Sequence, residues 1–303
     1  MTKLTLLALV AALPWAAYAK ITVVATTPDF GALAKEIGGN KVDLAVLAKP
    51  TEDPHFVDAK PSFILKLNRA DVLIEGGAQL EMGWLPSLLD GARNPRIAAG
   101  APGHLAAARG IQLLEVPATL DRSRGDLHAL GNPHFMLDPV NARIVAGRIA
   151  ETFAELDPKS ADEFRANLKA FSDRLDAKLA EWQGRMAPFR GLQVATYHNS
   201  WIYFGQRFGL GMGLYLEPKP GIPPTPTHLA EVITRMKAEK VRAILVEPYQ
   251  NRKTAETVVR ETGAVIVDVA QFPGGVKGTE GGYIPLMDHV INALAKALSA
   301  ADK

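Results

Sequence analysis

Cysteine is absent from the 303-residue chain. No disulfide can staple the fold, so stability must come from the core alone, and any metal site must be built from nitrogen and oxygen ligands. There is also no thiol to carry a lipid, so the exported product is expected to be free and soluble. No block of Lys or Arg appears and the formal charge is only +2, which names no polyanionic partner and argues against nucleic acid. The HExxH helix of a zinc hydrolase is missing too. The longest apolar run, Leu4 to Trp15, falls short of the ~20 residues that a membrane-spanning helix needs.

That run sits instead between Lys3 and the small-x-small triplet Ala17-Tyr18-Ala19. Together they read as a signal peptide over residues 1–19, cleaved near Ala19, with the mature chain starting near Lys20 in a periplasm. The full chain is 48% hydrophobic and 22% charged, ordinary for a globular protein with a full core.

Past the leader, short β-branched runs alternate with helical patterns. Ile21 to Thr27, Val42 to Leu47 and Val72 to Ile74 read as strands, with helices after Pro28, from Pro61 or Ser62, and over Leu80 to Leu89. The stretch Gly100 to Gly131 reads as loop. After Asp157-Pro158, the positions Phe164, Leu168, Phe171, Leu175, Leu179, Trp182, Met186 and Phe189 form one stripe at helical period. A helix over 159–188 spans roughly 45 Å, long enough to join two lobes stiffly. Alternation then resumes, with strands at Leu192 to Tyr197, Gly211 to Leu216, Val241 to Val246 and Ala264 to Val269, helices between them, and a last helix from Ile284 to Leu298. The expected fold is α/β: two βα lobes with mainly parallel sheets, over residues 20–140 and 191–303, joined by connecting helices over 141–190 that include one long rigid helix.

Of the seven histidines, three share a setting. His55 in Asp53-Pro54-His55 and His134 in Asn132-Pro133-His134 follow an Asx-Pro corner, where the residue before proline is forced extended. His198 in Tyr197-His198-Asn199 ends a strand. Crevices in open α/β sheets lie at the carboxyl ends of strands, so these three are expected to converge on one metal ion between the lobes. A carboxylate is expected as fourth ligand, with Asp268 at the end of Val265 to Val267 and Glu280 in a glycine-rich loop both open. Glu247, in Val246-Glu247-Pro248, is a candidate to orient a histidine from behind. His128 is a candidate auxiliary ligand, and His104, His228 and His289 read as surface or solvated.

On these residues the chain resembles the periplasmic receptors of zinc and manganese ABC importers. The carrying motifs are Asp53-Pro54-His55 with Pro61-Ser62 and Asn68-Arg69-Ala70-Asp71, Asn132-Pro133-His134 with Leu137-Asp138-Pro139, Tyr197-His198 with Tyr203-Phe204, and Val246-Glu247-Pro248. The resemblance implies metal held between two lobes by His55, His134 and His198. It also implies delivery to the transmembrane permease of an ABC importer, with a periplasmic metallochaperone as a further partner and a monomeric receptor. Two departures stand out. Only Asp126 and His128 remain of the His/Asp-rich loop common in zinc members, and an alignment through Gly263 puts Ala270, not Asp268, at the family's last-strand aspartate. Histidine rather than glutamate at position 198 favours Zn²⁺ over the harder Mn²⁺. A secreted zinc hydrolase, with three histidines and an open water position, is the alternative from another class, and the expectation here is a receptor, not an enzyme.

Overall fold

The computed structural model describes residues 20–118 and 128–300. The expected signal segment 1–19 and Asp126 lie outside the described residues. From the amino end run β1 (Ile21–Ala25), α1 (Pro28–Gly38), β2 (Val42–Val46), α2 (Pro61–Arg69), β3 (Val72–Glu75), α3 (Leu85–Ala92) and β4 (His104–Ala106). Two helices follow, α4 (Pro139–Leu156) and α5 (Ala161–Met186). The second half continues as β5 (Gln193–Thr196), α6 (Ile202–Phe208), β6 (Gly211–Tyr215), α7 (Pro226–Ala238), β7 (Ala243–Val246), α8 (Arg252–Thr262), β8 (Val265–Asp268) and α9 (Tyr283–Ala300).

Each half forms a four-stranded sheet, ordered β2-β1-β3-β4 and β6-β5-β7-β8, and every pairing is parallel. The two halves thus repeat one topology without a visible sequence repeat. Strands covered by helices on both faces need apolar residues on both, which is why Val23, Val24 and Ala25 are consecutive and all buried. A single hydrophobic cluster runs through both sheets, linking Val23 and Phe30 to Phe153, Phe164, Trp182, Trp201 and Val290. Smaller clusters lie beneath α2 and α3 around Leu67 and Trp84, and beneath α7 and α8 around Met236 and Val258.

The long stripe does form one helix. The 26 residues of α5 extend ~39 Å, with single 3-10 turns over Pro158–Ser160 and Ala187–Phe189 at its ends. Trp182 lies buried near its carboxyl end and its indole N–H donates to Asp288 of α9 at 2.8 Å.

Two local expectations are corrected. The helix expected over Leu80 to Leu89 begins only at Leu85, because Gly77, Ala78 and Gln79 all take positive φ and turn the chain before it. The stretch Gly100 to Gly131 is not all loop, since β4 pairs with β3 and completes the first sheet. The Asp138-Pro139 pair opens α4. Asp138 caps α4 by accepting from the Val140 N–H at 2.9 Å, with Pro139 in the first turn where its missing N–H costs nothing.

Candidate metal centre

The two Asx-Pro-His triplets fold alike. Asp53 Oδ1 accepts from the His55 backbone N–H and Asn132 Oδ1 from that of His134, each at 3.0 Å, so each side chain closes a turn around its proline. The first turn lies on the loop after β2 and is pinned by the Trp84 indole, which donates to the Pro54 carbonyl. The second opens the 3-10 turn Phe135–Leu137 ahead of α4, and the Tyr203 hydroxyl donates to the Asn132 carbonyl. His198 follows β5 directly, its carbonyl accepting from the Thr196 hydroxyl at 2.7 Å.

These three loops bring His55, His134 and His198 together. One ring nitrogen from each lies within 4.8 Å of the other two, and His134 is buried. The Nε2 atoms of His55 and His134 are 3.3 Å apart. No Asp or Glu of the described residues belongs to the group. His128 lies alongside, its ring stacked on His55 with centroids 5.0 Å apart, but outside the set of mutually close nitrogens.

The far nitrogens of His134 and His198 are anchored, leaving their Nε2 atoms to face the centre. His134 Nδ1–H donates to Gln271 Oε1 at 2.8 Å, and His198 Nδ1 pairs with Glu217 Oε2 at 2.7 Å. Gln271 is itself fixed, because its amide nitrogen donates to the Ser200 hydroxyl at 3.0 Å and to the Tyr249 hydroxyl at 2.6 Å. Such partners set the tautomer and orientation of a ligating imidazole.

Electrostatics separate the three rings. Burial first, then the neighbouring His198 and His128, hold His55 well below the ordinary histidine value of 6.5. Burial and the other histidines do the same to His134. Burial also pulls His198 down, but its hydrogen bond and charge pairing with Glu217, helped by Glu247 and Asp53, outweigh this and raise it. Two rings are therefore ready as neutral donors, and the third sits against carboxylates.

The expected fourth ligands fall elsewhere. Residues alternate sides along β8, so Val267 points into the core and Asp268 points out, exposed and ion-paired with Arg252. Its backbone carbonyl accepts from His289 Nε2 at 2.9 Å. Glu280 is exposed and closes its own turn, accepting from the Gly278 N–H at 2.8 Å. The chain reaches the centre three residues past Asp268, with Gln271. Glu247 is fully buried, accepts from the Trp201 indole at 2.8 Å and from Gln271 at 3.4 Å, and is pushed up to about 7 by burial. It therefore stands behind Gln271 and touches none of the three histidines by hydrogen bond. His104 pairs with Glu75 at 2.9 Å and His228 with the Tyr215 carbonyl at 3.1 Å, both outside the group.

Gln271 and Glu217 were missed at the sequence level. Leu216-Glu217-Pro218 repeats the strand-end Glu-Pro signal of Val246-Glu247-Pro248, so Glu217 was findable. Gln271 has no such mark beyond being a polar residue after an apolar run.

The sequence profile of the family described as zinc-uptake complex component A, periplasmic, matches residues 23–297. Among curated relatives, the manganese ABC transporter substrate-binding lipoprotein PsaA of Streptococcus anginosus is 24% identical over 287 residues, 92% of this chain and 90% of that one. The iron ABC transporter substrate-binding lipoprotein MtsA of Streptococcus pyogenes serotype M1 is 26% identical over 253 residues, 82% of this chain and 78% of that one. Among solved structures, ZnuA superposes with a TM-score of 0.76 at 24% identity, covering 92% of this chain and 99% of that one. No helix among the described residues is long and apolar enough to cross a membrane. With the family profile running almost end to end, the protein belongs to the zinc-uptake complex component A family and is the substrate-binding receptor of a metal ABC transporter, working with a transmembrane permease and not as an enzyme.

Proposed function

We propose that this receptor captures Zn²⁺ in the periplasm, after signal cleavage near Ala19, and delivers it to its permease through His55, His134 and His198. The lobe we assign to residues 20–140 supplies the first two ligands, and the lobe at 191–303 supplies the third. The observation that carries the reading is the 3.3 Å between the Nε2 atoms of His55 and His134. Two nitrogens bound to tetrahedral zinc at ~2.05 Å each are themselves separated by about 3.3 Å. Two lone pairs at that distance repel unless a proton or a cation lies between them.

Relatives differ in the metal for which they are named, manganese for PsaA and iron for MtsA, so this chain's own donors have to decide. Among the described residues its close group is all imidazole, without a carboxylate. Manganese favours oxygen donors, and nitrogen sites bind it more weakly than zinc across the first-row series. Metal analysis of chain purified without added metal, followed by a zinc-versus-manganese competition on stripped protein, tests the assignment. Zinc retained against excess manganese is expected; preferential manganese loading overturns it.

A further inference from the structure

Position 115 carries a long side chain where the backbone favours none. Glu115 has a φ of 53°, a left-handed conformation in which any Cβ crowds the chain and glycine is the residue of least cost. The chain is held in this course from both sides. The Leu114 N–H donates to the Tyr203 hydroxyl at 2.9 Å, and the Leu114 carbonyl accepts from the Asn132 N–H at 2.8 Å. Gly131 admits the crossing because it has no side chain: a Cβ there would lie 2.8 Å from the Leu114 carbonyl oxygen and 2.9 Å from Leu113 Cβ. A glutamate in so unfavourable a conformation directs attention to what its side chain does.

That side chain joins the two halves of the protein beside the metal centre. A single oxygen, Oε2, accepts from Asn132 Nδ2 at 3.0 Å and from Asn199 Nδ2 at 2.7 Å. Asn132 belongs to the first half and stands two residues before His134; Asn199 belongs to the second and directly follows His198. With Asn132 Nδ2 turned to Glu115 and to the Asn199 carbonyl, Asn132 Oδ1 is left to accept from the His134 backbone N–H at 3.0 Å. Glu115, Asn199, His134 and His198 line one cavity. Glu115 itself is exposed, so it adds nothing to the core.

We propose that Glu115 is a positioning residue of the metal centre: its one carboxylate oxygen ties the asparagine before His134 to the asparagine after His198, and so holds these two ligands at a fixed separation across the halves. The inference rests on the zinc reading above. Glu115 is not among the mutually close ligand atoms and acts through Asn132 and Asn199. Without it the Asn199 side chain loses its hold on the first half, and the Asn132 amide keeps only its bond to the Asn199 carbonyl. The turn before His134 and the loop at His198 then separate more easily, and the ion leaves faster.

Two variants and two measurements test this: the rate at which excess chelator strips Zn²⁺ from the loaded chain, and the melting temperature of the metal-free chain. Glu115→Gly removes the carboxylate but suits the left-handed backbone, so the metal-free chain should melt at or above the parental temperature. Zinc should nonetheless leave it about fivefold faster. Glu115→Gln keeps an acceptor oxygen in the same place and should lose zinc within about twofold of the parental rate. A glycine variant that retains zinc as long as the parent overturns the proposal. So does a glutamine variant that loses zinc as fast as the glycine one, because negative charge and not the tie would then be the active property. A fall of several degrees in the metal-free melting temperature of the glycine variant also overturns it, by making Glu115 a residue of the general fold. A parental chain that takes up no Zn²⁺ refutes the zinc assignment itself, and this inference with it.

Discussion

Replacing Gln271 by methionine tests whether the centre depends on its supporting hydrogen bonds. Methionine nearly conserves the volume but accepts nothing useful from His134 Nδ1, now bonded at 2.8 Å to the Gln271 oxygen. In the metal-free protein a buried imidazole N–H loses its acceptor, which costs about 1–3 kcal/mol and lowers the melting temperature. For metal binding the larger effect is on aim. Without the acceptor, His134 is free to exchange tautomers and to turn its lone pair away from the centre, and loss of such a partner weakens metal binding ~10–100-fold. That corresponds to about 1.4–2.7 kcal/mol of binding free energy. Competition against a chelator of known zinc affinity measures it. Gln271→Glu is the control, because it restores an acceptor at the same place, and its affinity should return to at least the parental level. A methionine variant that binds zinc within twofold of the parent refutes the argument.

His134→Ala is expected to abolish tight zinc binding, and an unchanged calorimetric affinity would remove His134 from the ligand set. Asp268→Ala and Glu280→Ala should leave zinc affinity unchanged and move stability by no more than ~0.5 kcal/mol, since both side chains are exposed; a tenfold loss of affinity in either would restore it as a ligand. Zinc affinity should fall on acidification with a slope near one decade per pH unit around 6.5 and just above it. His198 is raised above 6.5 and must shed a proton to bind, whereas His55 and His134 are held below it and are already neutral there. A slope of two or more in that window would mean that the depressed pair titrates normally. Trp182→Ala should cost ~3–5 kcal/mol and still give one thermal transition, because the cluster around Trp182 includes core residues of both sheets; two separated transitions in calorimetry would show that the lobes unfold independently.

Much of this was legible because period and punctuation are local. The stripe from Phe164 to Phe189 has no reading other than a helix, and proline after Asp53 and Asn132 fixes the corners that present His55 and His134. What could not be read was parity and approach. Asp268 looks like a strand-end ligand until the outward phase of β8 is known, and that phase is set by how Val267 packs. Gln271 reaches His134 across 137 positions of sequence, a contact that no local pattern encodes. The helix expected at Leu80 was delayed by positive φ at Ala78 and Gln79, residues whose type gives no warning of it.

The orientation of His134 depends on the opposite lobe more than on its own. Gln271, from the second half, holds its ring; the Tyr203 hydroxyl, also from the second half, donates to the carbonyl of Asn132 and accepts from the Leu114 N–H; and Asn132 Nδ2 donates to the Asn199 carbonyl at 2.9 Å. With one apolar cluster spanning both sheets and these polar ties around the centre, the lobes are joined on either side of the ligands. Hinge closure needs a boundary that few contacts cross, and this boundary is crossed by both kinds. The centre holds two imidazole nitrogens, those of His55 and His134, at the spacing that a tetrahedral ion sets. With the ligands held together by both lobes, the binding energy goes mainly into metal–nitrogen bonds rather than into ordering the lobes.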